Sequence, residues 1–170
     1  MSKTTGEKTD FGGALKNLEG TLEEYLVKKA PFQLPKNVKE IIVKFAPYLA
    51  ILGVVMGISG VLETIFVPLG FVGGMMAGRP FLEVGLIINV LFLGVMVLLE
   101  ALAIPGLFSR SIKGWTFLYW SVLVGVIFNF VSLIFVTFNN FGFFDLAGMG
   151  AIVMKVVSLY FLFQVKEYYK

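Results

Sequence analysis

Four long stretches of this chain are almost free of charge, and that dictates the solvent in which it folds. Phe45 to Leu62, Val84 to Leu99 and Gly114 to Phe144 contain no Asp, Glu, Lys or Arg, and Leu146 to Val165 contains only Lys155. A helix needs about 20 mostly apolar residues to cross a bilayer core, so runs of this length read as membrane spans. Transmembrane strands would alternate polar and apolar residues over about 10 positions, and these runs do not alternate. Composition agrees: 58% of the 170 residues are hydrophobic and 15% are charged, more apolar surface than one soluble core of this size can enclose.

The expected fold is an all-α membrane protein, an antiparallel bundle of four transmembrane helices preceded by a cytoplasmic amphipathic helix. We place the spans at about 45–67, 84–104, 115–137 and 147–165. Residues 1–44 then form an N-terminal segment and residues 45–170 the membrane domain. Pro68, Gly70, Gly73, Gly74, Gly78 and Pro80 break the chain after the first span, in what reads as a flexible outer loop. Pro105-Gly106 reads as the end of the second span, and Asn139-Asn140 with Gly142 as the last turn.

The basic residues orient the bundle. Of 14 Lys and Arg, eight lie at or before Lys44, Arg110 and Lys113 lie between spans two and three, and Lys166 and Lys170 follow span four. Four spans put all of these on one side and leave only Arg79 on the other, so both termini are expected in the cytoplasm. The polar start, with the first apolar run some forty residues in, gives no expectation of a cleavable signal peptide. The net charge of +3 is explained by topology, and no nucleic-acid partner is expected.

The chain has no histidine and no cysteine. Haem ligation by His, thiolate chemistry, iron–sulfur clusters, Ser-His-Asp catalysis and His-based zinc sites all need side chains it lacks. No catalytic, cofactor-binding or metal-ligating residue is expected, and no enzyme.

Polar residues within the spans are the candidate site. Ser121, Gly125, Asn129 and Ser132 share a face of span three; Gly148, Ala151, Lys155 and Ser158 share one of span four; Gly85, Asn89, Met96 and Glu100 share one of span two; and Gly53, Gly57, Gly60 and Thr64 share one of span one. Small and polar stripes let helices pack closely, and they equally suit a polar pocket. Lys155 stands out, because a charge near the bilayer centre costs about 2.5–3.5 kcal/mol even on lenient scales. Counted from the expected outer helix ends, Lys155 lies about 12 Å deep and Glu63 about 6 Å, with side chains leaning toward each other. Lys155 can snorkel to the outer surface or join an intramembrane cluster of Lys155, Glu63, Asn89, Asn129, Ser132 and Ser158, and the cluster is the expectation carried forward, as is ion pairing of Glu100 with Arg110 and Lys113 at the cytoplasmic side. Trp115, Tyr119, Trp120, Tyr168 and Tyr169 read as an aromatic belt at that boundary.

Residues 14–30 carry Leu15, Leu18, Leu22, Tyr25 and Leu26 at helical spacing, with Glu19, Glu23, Glu24, Lys16, Lys28 and Lys29 mostly around the other face. That is an amphipathic helix, resting on the membrane or engaging a protein partner, since acids and bases alternate more than a pure lipid anchor would require. Pro31 and Pro35 end it. The Gly53-x-x-x-Gly57 pair makes a homo-oligomer a candidate assembly.

The stretch Ile104-Pro-Gly-Leu-Phe-Ser-Arg-Ser-Ile-Lys-Gly-Trp115 resembles the cytoplasmic turn of a group of small four-span bacterial inner-membrane proteins with no assigned activity. The resemblance covers roughly span two to span four, and it implies a bacterial inner-membrane location. Three functions are weighed. An accessory or scaffold protein is favoured by the amphipathic helix, and a small-solute or ion-binding protein by the intramembrane polar residues. An intramembrane enzyme has only carboxylates, lysine and hydroxyls to work with.

Overall fold

The computed structural model describes residues 11–67, 80–139 and 146–170. The glycine-rich loop at 70–78, Arg79, and the turn at Asn140 and Gly142 lie outside the described residues. Five α-helices make up almost all of the rest, with no strand among the described residues: α1 (Phe11–Glu23), α2 (Lys36–Val67), α3 (Pro80–Phe108), α4 (Ile112–Asn139) and α5 (Leu146–Gln164). A π-helical turn, Glu24–Lys28, extends α1, and a 3-10 turn, Lys166–Tyr168, follows α5.

Three helices are long and apolar enough to cross a membrane, over Lys36–Phe66, Ile87–Phe108 and Ile112–Ile134. α5 has 19 residues and carries a shorter apolar segment, Gly148–Gln164. Only 6% of the most apolar window of α3 is buried within the protein, and Leu91, Leu98 and Leu102 on that helix are exposed. Apolar surface on this scale is tolerated where lipid covers it.

Two expected boundaries move. The first span begins nine residues earlier than expected, because Val38, Ile41 and Ile42 join it in one 32-residue helix that runs through Pro47. At about 1.5 Å per residue this helix is about 48 Å long, well beyond the thickness of a hydrocarbon core of about 30 Å, so it is long enough to cross one with its lysine-bearing N-terminal turns to spare. Pro105 does not stop α3; the helix continues through it to Phe108. The chain reverses at Ser109 to Ser111 instead, where Arg110 adopts a left-handed backbone (φ 53) and the Ser111 N–H donates to the Gly106 carbonyl at 2.7 Å.

Each helix packs on the next in sequence, α2 on α3, α3 on α4 and α4 on α5, and the π turn lies against α5. The buried core, including Val43, Ala103, Leu107, Trp115, Leu162 and Phe163, gathers where α2 and α4 begin and α3 and α5 end. Consecutive helices therefore run antiparallel. The closest approach is backbone to backbone: a Cβ placed on Gly106 would lie 2.5 Å from Gly114 Cα, so only glycine at both positions permits this crossing.

The contact sets the register of the α3–α4 hairpin. Gly106 and Gly114 are equidistant from Arg110 in sequence, as are Phe92 and Phe128, whose rings lie 5.2 Å apart. Glu100 meets Ser121, and Met96 meets Gly125, within one residue of that register.

Trp115 and Tyr119 leave the expected aromatic belt and enter this core, at 1% and 2% exposure. Their rings stack at 5.4 Å and both meet Phe163 edge-on. The reason lies in the end of α5. The last carbonyls of a helix have no donor of their own, and the Trp115 indole N–H supplies one to the Leu162 carbonyl at 2.9 Å.

Candidate functional site

A cleft of about 240 Å³ opens between α2 and α5, with α3 and α4 behind it. Its walls are mainly apolar, among them Ala46, Leu49, Val122 and Leu162, and its polar side chains are Glu100, Lys155, Ser158 and Tyr169. The two charges come from different helices. Glu100 reaches the cleft because Gly53 on α2 leaves room for its carboxylate; a Cβ there would lie 2.6 Å from Glu100 Oε2. Lys155 reaches it across Gly125 on α4, where a Cβ would stand 3.1 Å from Lys155 Cε and 3.2 Å from its Nζ.

Buried Ser121 donates its hydroxyl to Glu100 Oε1 at 3.2 Å and lies within 3.4 Å of the Met96 carbonyl. Ser121 and Gly125 are one turn apart on α4, which offsets the carboxylate and the ammonium by about 6 Å along the bundle. Among the described residues the two charges form no ion pair within 4.0 Å, and neither Glu100 nor Lys155 pairs with any other charge. Such a cleft offers a donor and an acceptor at fixed spacing in a low-dielectric surround, where each is far more potent than in water.

The expected intramembrane cluster is only partly assembled. Lys155 and Ser158 line the cleft, the Ser158 hydroxyl donating to the Met154 carbonyl of its own helix at 2.8 Å. Glu63 does not join them; it is exposed and in no ion pair among the described residues. Depth explains this. Gly53 packs on Glu100 and Gly57 on Val97, which puts Lys155 level with about Gly57, so Glu63 lies about 9 Å farther along the bundle.

Asn129 turns its amide to the Gly125 carbonyl at 2.7 Å, and Asn89 Oδ1 is buried with no hydrogen-bond partner. Ser132 is half-buried at the level of Asn89 in the α3–α4 register. Glu100 also departs from expectation, since it faces Ser121 and not Arg110 or Lys113, both of which are exposed. Eight residues of helix separate Glu100 from the end of α3 at Phe108, about 12 Å along the axis, and Arg110 lies beyond it in the turn. What sequence reasoning missed is the partnership of Glu100 with Lys155, together with Ser121, Gly53 and Gly125 as the residues that seat them.

Residues 14–30 engage the chain itself. Lys166, just past α5, is held by Glu19 at 2.9 Å and Glu23 at 2.7 Å, and its ammonium lies 5.0 Å over the Trp115 ring. Burial pulls the Lys166 ammonium down, but the hydrogen bonds and charges of Glu23 and Glu19 outweigh it and hold the group above its ordinary range. Pro31 has no N–H, so the Leu26 carbonyl lacks its π-helical donor and the Val27 carbonyl its α-helical one. Gln164 supplies the first at 2.8 Å and Gln33 the second at 2.8 Å. The Gly53 and Gly57 pair is likewise used within the chain, against α3.

Comparison with family models, with curated proteins and with solved structures finds no match to this chain.

Proposed function

We propose that the chain is a four-span protein of the bacterial cytoplasmic membrane, with both ends in the cytoplasm, that binds a small dipolar solute in the cleft between α2 and α5. The observation that carries this reading is that Glu100 and Lys155 face one cleft without neutralising each other. Unpaired charges in an apolar interior are costly, and a solute with a cationic or donor end for Glu100 and an anionic end for Lys155 satisfies both. A small zwitterion has this pattern, and the cleft volume suits one.

The topology draws support from the end of the bundle where the core gathers. Lys36, Lys39, Lys44, Arg110, Lys113, Lys166 and Lys170 are all carried there, as the positive-inside rule requires of a cytoplasmic face. α5, at about 29 Å, just matches a bilayer core. The accessory-protein reading drew on residues 14–30. Since the chain's own α5 and C-terminal turn occupy that segment, the cleft is the better-supported centre of activity.

The test is solute-dependent thermal stabilisation of the purified protein with a panel of small zwitterions, followed by uptake of any stabilising solute into proteoliposomes. Stabilisation that disappears in both Lys155→Met and Glu100→Gln supports the reading. A panel without effect, or one whose effect survives both substitutions, overturns it. Single cysteines at Ser111 and Gly74, labelled from outside intact cells with an impermeant reagent, test the topology: Gly74 should react and Ser111 should not.

A further inference from the structure

A second cavity, of about 410 Å³, lies between the N-terminal segment and the core end of the bundle, lined by Lys39, Glu167, Glu23, Gln33, Lys166 and Gln164 among others. It is separate in chemistry from the cleft, being bounded by charged groups of both signs at the level where α2 begins and α5 ends.

The least satisfied group in its wall is Gln164. This side chain is 1% exposed, and its Nε2 is committed to the Leu26 carbonyl at 2.8 Å. That carbonyl can only accept, which settles which end of the amide is nitrogen. Oε1 is therefore the free end, and it is buried without any partner. A buried acceptor of this kind asks for a donor.

Lys39 is the complementary group. It is 8% exposed and gives one hydrogen bond, to Glu167 at 2.9 Å, leaving two of its three N–H donors for something else. The charges lining the cavity balance. In its wall Lys39 and Lys166 face Glu23 and Glu167, and Lys166 is further held by Glu19, so the lining brings no excess positive charge and an occupant that carries both signs is favoured over a purely anionic one.

We propose that this cavity binds a phosphoethanolamine-type group, its primary ammonium donating to Gln164 Oε1 and its phosphate accepting from Lys39. The position, at the end of three membrane-length helices, suits a lipid headgroup; the free phosphate monoester has the same chemistry. The inference is independent of what the cleft binds.

Native mass spectrometry of the full chain in mild detergent tests it with a lipid series: phosphatidylethanolamine, its N-methyl and N,N-dimethyl derivatives, and phosphatidylcholine. These carry three, two, one and no ammonium N–H groups. Retention should persist through the dimethyl lipid and fall at least tenfold at phosphatidylcholine. Gln164→Met and Lys39→Met should each reduce retention of phosphatidylethanolamine to the phosphatidylcholine level, while Lys155→Met leaves it unchanged. Should a cavity variant fail to fold, the lipid series on the unaltered chain still decides.

Free phosphoethanolamine is added in a further arm. Displacement of lipid at equal concentration assigns the site to the soluble group, and retention of lipid assigns it to the headgroup; both support the chemistry. Equal retention of phosphatidylcholine and phosphatidylethanolamine overturns the proposal.

Discussion

Gly106→Ala is the sharpest test of how this bundle is held. A Cβ at Gly106 would lie 2.5 Å from the Cα and 2.6 Å from the nitrogen of Gly114. Carbon atoms in contact sit about 3.5–4.0 Å apart, so α3 and α4 must part by about 1 Å. The obstacle is backbone and cannot rotate away. Overpacking of this kind costs about 1–3 kcal/mol. The parting also pulls on Trp115, next to Gly114, whose 2.9 Å bond to the Leu162 carbonyl ties α4 to α5. Its loss adds about 1 kcal/mol, roughly what alanine gains over glycine in helix propensity. The net expectation is a loss of about 1–3 kcal/mol. Gly60→Ala and Gly94→Ala are the controls, because a Cβ at either meets nothing within 4 Å, and both should be neutral or slightly stabilising. Unfolding in mixed micelles with rising dodecyl sulfate, followed by the fluorescence of the two tryptophans, both on α4, reads the difference. If Gly106→Ala unfolds at the same dodecyl sulfate fraction as Gly60→Ala, the helix crossing described here is wrong.

Further outcomes follow from the same coordinates. In double-mutant cycles read by the same unfolding assay, Lys155→Met should couple to Glu100→Gln, while Lys155→Met and Glu63→Gln should simply add; the reverse pattern would restore the depth-matched pair expected from sequence. Trp115→Phe keeps most of the ring packing but strands the Leu162 carbonyl, for an expected loss of about 1–3 kcal/mol. The Lys166 clamp should release only in alkali. Its folded-state ammonium titrates above the ordinary value of 10.5, so its contribution is complete below that pH and lost as pH rises through the folded value. Buried Tyr169, also raised, acts in the same direction. Tryptophan fluorescence should therefore shift as pH rises above 10.5, where Lys166→Met shows a smaller change, and equal responses would refute the clamp.

The helical, membrane-length character of the chain was legible because uncharged runs of twenty residues have few other uses. Charge partners were not legible in the same way. Matching Glu63 with Lys155 relied on depths counted from each helix's own expected end, and an error of a few residues in either end moves a side chain by a full turn. The actual register comes from Gly106 and Gly114, a backbone contact that leaves no side-chain pattern. Counting outward from Arg110 would have brought Glu100 to within one residue of Ser121, but only with the turn centred there and not at Pro105. The amphipathic face of residues 14–30 was plain, and so was its alternation of acids and bases. Its partner was hidden because Lys166 is a single basic residue some 140 positions away, with no periodicity to announce it.

The docking of the N-terminal segment carries a consequence for biogenesis. Glu19, Glu23 and Leu26 leave the ribosome first, yet the groups that hold them, Lys166 and Gln164, are among the last residues of the described chain. The segment cannot reach its seat until α5 has been made and packed on α4. Until then it stays undocked, with an apolar face exposed to chaperones or to the lipid surface. Its seating is thus a closing step, and protection of residues 19–26 from protease during translation would time-stamp the completion of the bundle.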